Sequence, residues 1–144
     1  MEPREIAVAQ ARGRIAVGAA FLLAPGLAGR AWVGHDAARP SAKLLGRAFG
    51  ARDLALGLGI VIAIDRGAPV RGWLEASALS DAADAAATML GAATVPPRLR
   101  PGILALGAGS AAVAGWLAKR VDSENHPLPG DTPEAAVTGH PASR

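Results

Sequence analysis

The sequence predicts an all-α fold, a four-transmembrane-helix antiparallel bundle over residues 13–118. A polar segment at 1–12 precedes it and a disordered polar tail at 119–144 follows. Three observations carry that expectation. Four apolar stretches follow one another at near-spanning length. Ala and Gly dominate them, without the alternation of period two that a half-buried strand requires. Trp, Arg and Lys gather at their ends.

A helix needs roughly 20 mostly apolar residues to cross about 30 Å of hydrocarbon. The first stretch is GRIAVGAAFLLAPGLAGRAWVG, residues 13–34, where Pro25-Gly26 predicts a kink or local opening. The polar HDAARPSAK, 35–43, is broken by Pro40. The second stretch, LLGRAFGARDLALGLGIVIAI, spans 44–64, and DRGAPVR at 65–71 turns the chain through Gly67 and Pro69. The third, GWLEASALSDAADAAATMLGAATV, covers 72–95, and PPRLR at 96–100 cannot continue a helix. The fourth, PGILALGAGSAAVAGWLA at 101–118, is the only one wholly free of charge. Beyond Arg120 the chain is rich in Pro, Gly and polar groups, too polar to bury the surface that would offset its ordering entropy.

The composition narrows the function classes. The chain is 51% hydrophobic but only 3% aromatic, with 18 Gly and no Tyr. Small residues suit close helix contact in lipid, where packing rather than the hydrophobic effect holds helices together. A GC-rich genome explains part of the same bias. The absence of Cys removes disulfides, thiolate ligands and Cys nucleophiles. The net charge of +3 does not form a basic run with interleaved aromatics, so no nucleic-acid partner is expected. Trp32, Trp73 and Trp116 fall at segment ends, where an amphipathic ring sits at a membrane boundary. Arg12 and Arg14, Arg30, Lys43 and Arg47, Arg66 and Arg71, Arg98 and Arg100, and Lys119 and Arg120 read as flanking charges. Their slight bias places both termini in the cytoplasm, in a multi-pass protein of the plasma membrane. A soluble all-α bundle and a cleaved N-terminal signal peptide are the competing readings.

The candidate site is a constellation of charges inside the apolar segments. Ser77, Asp81, Asp84 and Thr88 are spaced by 4, 3 and 4, one face of a helix. A charge at membrane mid-depth costs about 2.5–3.5 kcal/mol, so these carboxylates should face the bundle interior and find a partner. Arg52 lies 14 residues before Arg66, and Asp84 lies 13 after Arg71, which sets them at nearly equal depth on antiparallel helices. Arg52 is therefore expected to be the counter-charge to Asp81 and Asp84. Asp53 adds a second acceptor or faces helix one or four. One Arg against three Asp leaves the charge unbalanced, so either water enters or a carboxyl holds a proton. Three readings stay open: a structural ion pair that fixes register, a polar ligand or ion site, and a helix start at Phe49 with Arg52 and Asp53 as a cap near the headgroups.

Other motifs read as packing. Gly107, Ala111 and Gly115, Gly46 and Gly50, and Ala55 and Gly59 make small-residue ridges that permit close approach and a homo-oligomer. GLG at 57–59 lacks the strand and full fingerprint of a nucleotide loop. His35, His126 and His140 form no metal-ligand cluster. Ser77, Ser80 and Ser110 have no nearby His for a triad. No cofactor, metal or catalytic residue is expected, and the chain is not read as an enzyme.

GRAFGARDLALGLG at 46–59, followed by SALSDAADA at 77–85, resembles a family of short bacterial four-helix membrane proteins known only as a domain of unknown function. The likeness covers about residues 10–118 and is most specific at Gly50-x-Arg52-Asp53-Leu54 with Gly57. It implies four helices and a membrane location, and no activity. The expectation is a structural or accessory membrane component with a buried Arg-Asp cluster; the alternative is a small proton-linked transporter or carrier using the same cluster.

Overall fold

The computed structural model describes residues 2–121, and these are helical with no strand among them. The expected disordered tail concerns residues beyond Val121, which lie outside the described residues; Lys119 and Arg120 belong to the last helix.

Helix α1 spans Pro3–Leu23, so residues 3–12, expected as a polar segment ahead of the bundle, form its first turns. The reason is local. Glu2 and Glu5 form a reciprocal capping box, and Pro3 occupies the first turn, where its missing N–H costs nothing. The far end falls eleven residues short of Gly34, because Pro25 forces Ala24 out of the helical region (φ −134°, ψ 57°). The expected kink is thus a full termination. Single turns α2 (Pro25–Ala28) and α3 (Arg30–Val33) and a 3₁₀ turn (Gly34–Ala38) carry the chain across the end of the bundle.

Helix α4, Pro40–Asp65, starts on Pro40 rather than after it. It ends in a Schellman-type turn: Gly67 takes φ +62°, and the Ala68 N–H donates to the Ala63 carbonyl at 2.8 Å. Helix α5 is Arg71–Leu90, and α6 is Arg100–Arg120 with Pro101 in its first turn. Two of these helices, α1 and α6, are long and apolar enough to cross a membrane by length and composition. Helices α4 and α5 carry charges near their midpoints, which interrupt the apolar run.

The bundle is built of two antiparallel pairs, α1 with α4 and α5 with α6; contact between the pairs is sparser. The first seam has a heptad-like pattern. Buried positions on α1 are Ala7, Ala11, Arg14, Gly18 and Phe21, and on α4 they include Gly50, Asp53, Gly57, Ile60 and Ile64. Steps of four and three residues keep one stripe facing a partner. Small residues bring the backbones together: a Cβ on Gly18 would lie 2.7 Å from the Gly50 carbonyl oxygen, and one on Gly57 2.7 Å from that of Ala11. Gly46, Gly50 and Gly59 are likewise consumed inside the chain, against Pro25, Phe21 and Trp73 respectively, while Gly115 has nothing within 4 Å.

Three tiers follow along the bundle axis. The tier at the start of α1, the end of α6 and the 65–70 turn is an apolar plug of Ala7, Ile60, Val70, Leu74, Leu117 and Val121. The middle tier is charged. The third tier, under α2 and α3, holds an aromatic cluster of Phe21, Trp32 and Phe49, with edge-on ring pairs at 4.9–6.1 Å. Around the middle tier some of the burial runs against the usual sense. Arg14, Asp53, Ser77 and Asp81 are buried, whereas Leu23, Leu45, Leu79 and Leu90 are 70–91% exposed.

Candidate buried ion-pair site

The middle tier draws on all four long helices. Arg14 sits near the midpoint of α1, Arg52 and Asp53 at that of α4, Asp81 and Asp84 at and just past that of α5, and Ser110 at that of α6. Each arrives there by the phase of its own helix. Arg14 lies on the same buried stripe as Ala11 and Gly18, and Asp53 on the stripe of Gly50 and Gly57. The close glycine seam brings the two within reach.

Arg14 is the hub. Its Nη1 donates to Asp53 Oδ1 at 2.8 Å, and its Nη2 donates to Asp81 Oδ2 and to the Ser77 carbonyl at 3.3 Å. One planar fork thus ties α1 to α4 inside the first pair and to α5 in the second. The guanidinium geometry suits this, since its donors diverge in a fixed plane and remain charged under all ordinary conditions. Arg14 is only 5% exposed.

A second, shallower pair lies beside it. Arg52 grips Asp84 with both nitrogens, Nη1 to Oδ1 at 3.1 Å and Nη2 to Oδ2 at 2.5 Å, and stands 3.8 Å from Asp53. Its guanidinium also covers the Phe49 ring at 4.8 Å. The Arg52 and Asp84 side chains are 37% and 28% exposed, far more than the Arg14 trio. A third bridge joins α1 to α6: Gln10 Nε2 donates to the Ser110 carbonyl at 3.1 Å and to its hydroxyl at 3.2 Å.

The geometry corrects the expected pairing in three respects. Arg52 serves Asp84, at equal depth as the residue count implied, but Asp81 belongs to Arg14. Arg14, grouped by sequence with Arg12 as a flanking charge, is the most buried cation of the site. The balance is two guanidiniums to three carboxylates rather than one to three, while Asp53 faces helix one, one of its expected placements. Ser77 contributes its carbonyl, while its buried hydroxyl has no partner among the described residues. Thr88 donates to the Asp84 carbonyl at 2.7 Å, a bond within its own helix. Ala7, Ala11, Gly18 and Phe21 set a four-three repeat that position 14 completes, but Ala9, Gly13, Ala16 and Ala20 repeat in the same way, so the packing on α4 decides which phase is buried.

Two cavities flank the ion pairs on the aromatic side, of about 360 and 320 Å³. Both count Trp32, Phe49, Asp84 and Thr88 in their walls, and the smaller one reaches Arg14, Asp53 and Asp81. Among the described residues no three His, Cys, Asp or Glu side chains converge as a metal site would need.

Compared with protein-family profiles, curated proteins and solved structures, the chain matches none.

Proposed function

We propose that this chain is a multi-pass integral membrane protein whose four long helices cross the bilayer, and that its Arg-Asp network is a structural clasp between two helix pairs. One observation carries the reading: Arg14, Asp53 and Asp81 are buried at mid-bundle while large apolar side chains such as Leu45, Leu79 and Leu106 stand 67–74% exposed on the outside. Water would favour the reverse, since an exposed leucine forfeits about 2 kcal/mol of burial and a buried charge must be desolvated. Lipid favours what is seen. The helices run 20–26 residues, roughly 30–39 Å, matching the hydrocarbon thickness. On this reading the protein is a structural or accessory membrane component of the bacterial plasma membrane, with both termini cytoplasmic and no enzymatic role. Any homo-oligomer would use the outer face of α6, where Gly102, Gly109 and Gly115 have open space.

Membrane extraction tests it. The protein should stay in the pellet through alkaline carbonate and high salt and leave it only in detergent. A monodisperse protein in plain buffer overturns the proposal.

A second reading, a small proton-linked carrier, is favoured by one feature: the third carboxylate, in excess of the two guanidiniums, borders a cavity. Such a group can take up and release a proton. Flux of protons in liposomes, abolished by Asp84→Asn with the fold retained, would support it; no flux from the unmodified protein excludes it.

A further inference from the structure

We infer that the two adjoining cavities form one binding site for an amphipathic organic cation, an ammonium group on an aromatic or alkyl body. The inference uses the membrane reading only for the ligand's route and holds separately from the carrier reading.

The body of the ligand is set by the walls. The cavities are bounded chiefly by apolar side chains, with Trp32 and Phe49 common to both. A largely apolar cleft of this size with a few convergent polar groups is the usual form of a small-molecule site. It lies between the two helix pairs, whose mutual contact is sparse, so its volume is left by the architecture rather than by one missing side chain.

The sign of the ligand is set by the charges. Asp53, Asp81 and Asp84 line the smaller cavity against two guanidiniums, Arg14 and Arg52, a formal excess of one negative charge when all five groups are ionised. Such an excess in a low-dielectric setting attracts a cation and repels an anion. The aromatic wall already holds one cation, since Arg52 stacks over Phe49 at 4.8 Å. Trp32 offers the ring type with the strongest cation affinity.

The head group is set by the carboxylates. Asp53, Asp81 and Asp84 all line the smaller cavity, and a carboxylate is an acceptor that an N–H-bearing ammonium supplies with a donor.

The full chain in lipid nanodiscs, with empty discs as blank, provides the test by titration calorimetry. The probes are 4-phenylbutylammonium, its neutral isostere pentylbenzene, and the anion 5-phenylpentanoate. The ammonium should bind saturably and roughly tenfold tighter than the neutral isostere, the scale of a cation–π contact and a favourable charge. The anion should bind weakest. Asp84→Asn should bring the ammonium down to the level of the isostere and leave the isostere unchanged. Ile103→Trp, on the α6 wall of the smaller cavity, should abolish saturable binding of both, while the unchanged isostere affinity of the Asp84 variant shows that its fold is kept. Equal affinity for cation and isostere, preference for the anion, no saturable binding, or binding indifferent to Ile103→Trp each overturns the inference. If the chain needs a bilayer yet binds nothing, the site fails and the membrane reading stands. If it proves soluble in plain buffer yet binds the cation there, the membrane reading fails alone.

Discussion

Substituting Arg14 by Gln separates the two ion pairs by energy. Arg14 neutralises Asp53 and Asp81 at a position 5% exposed and also donates to the Ser77 carbonyl. Removing one partner of a buried pair leaves an uncompensated charge and costs about 3–5 kcal/mol. Asp53 keeps Arg52 at 3.8 Å, but Asp81 keeps no ion pair among the described residues, so the loss should fall within that range. Arg52→Gln removes a pair whose side chains are 37% and 28% exposed, and partly screened pairs contribute about 0.2–1 kcal/mol. Arg14→Gln should therefore cost at least about 2 kcal/mol more than Arg52→Gln. Equilibrium unfolding in mixed micelles, followed by far-ultraviolet circular dichroism against denaturing detergent, reads the difference. The triple change Arg14→Met, Asp53→Leu, Asp81→Leu should regain most of the stability, since hydrophobic groups of similar volume often replace a buried ion pair or triad at little cost. Equal losses for Arg14 and Arg52, or a triple variant no better than Arg14→Gln alone, would refute the assignment of Arg14 as the hub.

The helix seams and surfaces carry the remaining predictions. Gly18→Val should destabilise by about 1–3 kcal/mol or more, because its Cβ would meet backbone at Leu54 and Gly50 that cannot yield, whereas Gly115→Ala should change detergent melting little. Gly67→Ala should cost about 1–2 kcal/mol by strain at φ +62° alone, visible as an earlier unfolding midpoint with no change in cavity binding. The chain has no native Cys, so single cysteines report topology. Leu79→Cys, 74% exposed on the middle of α5, should resist a membrane-impermeant maleimide in vesicles, and Arg98→Cys in the connection to α6 should react with it from one side. Rapid labelling of the Leu79→Cys variant would place that face in water and overturn the bilayer assignment.

How much was legible in the chain depends on the range of the interaction involved. Helix identity is local: Ala and Gly runs without alternation, and prolines at 3, 25, 40 and 101, set four long rods and their turns. The Arg52–Asp84 pair was also within reach of counting, because α4 and α5 are consecutive and a short turn fixes their relative depth. Residue arithmetic could not set rotation, and rotation decided the rest. Arg14 and Arg12 look alike as charges beside an apolar stretch. Only the glycine contacts of α1 with α4 turn position 14 inward and leave Arg12 exposed. The boundary of α1 misled for a related reason: hydropathy marks where a helix turns apolar, while a capping box at Glu2 marks where it begins. Chain order alone thus determined that polar groups would meet at mid-height. Tertiary packing determined which cation holds which carboxylate, and left the aromatic-walled space beside them, because those outcomes depend on helix phase and interhelical distance, which no single segment encodes.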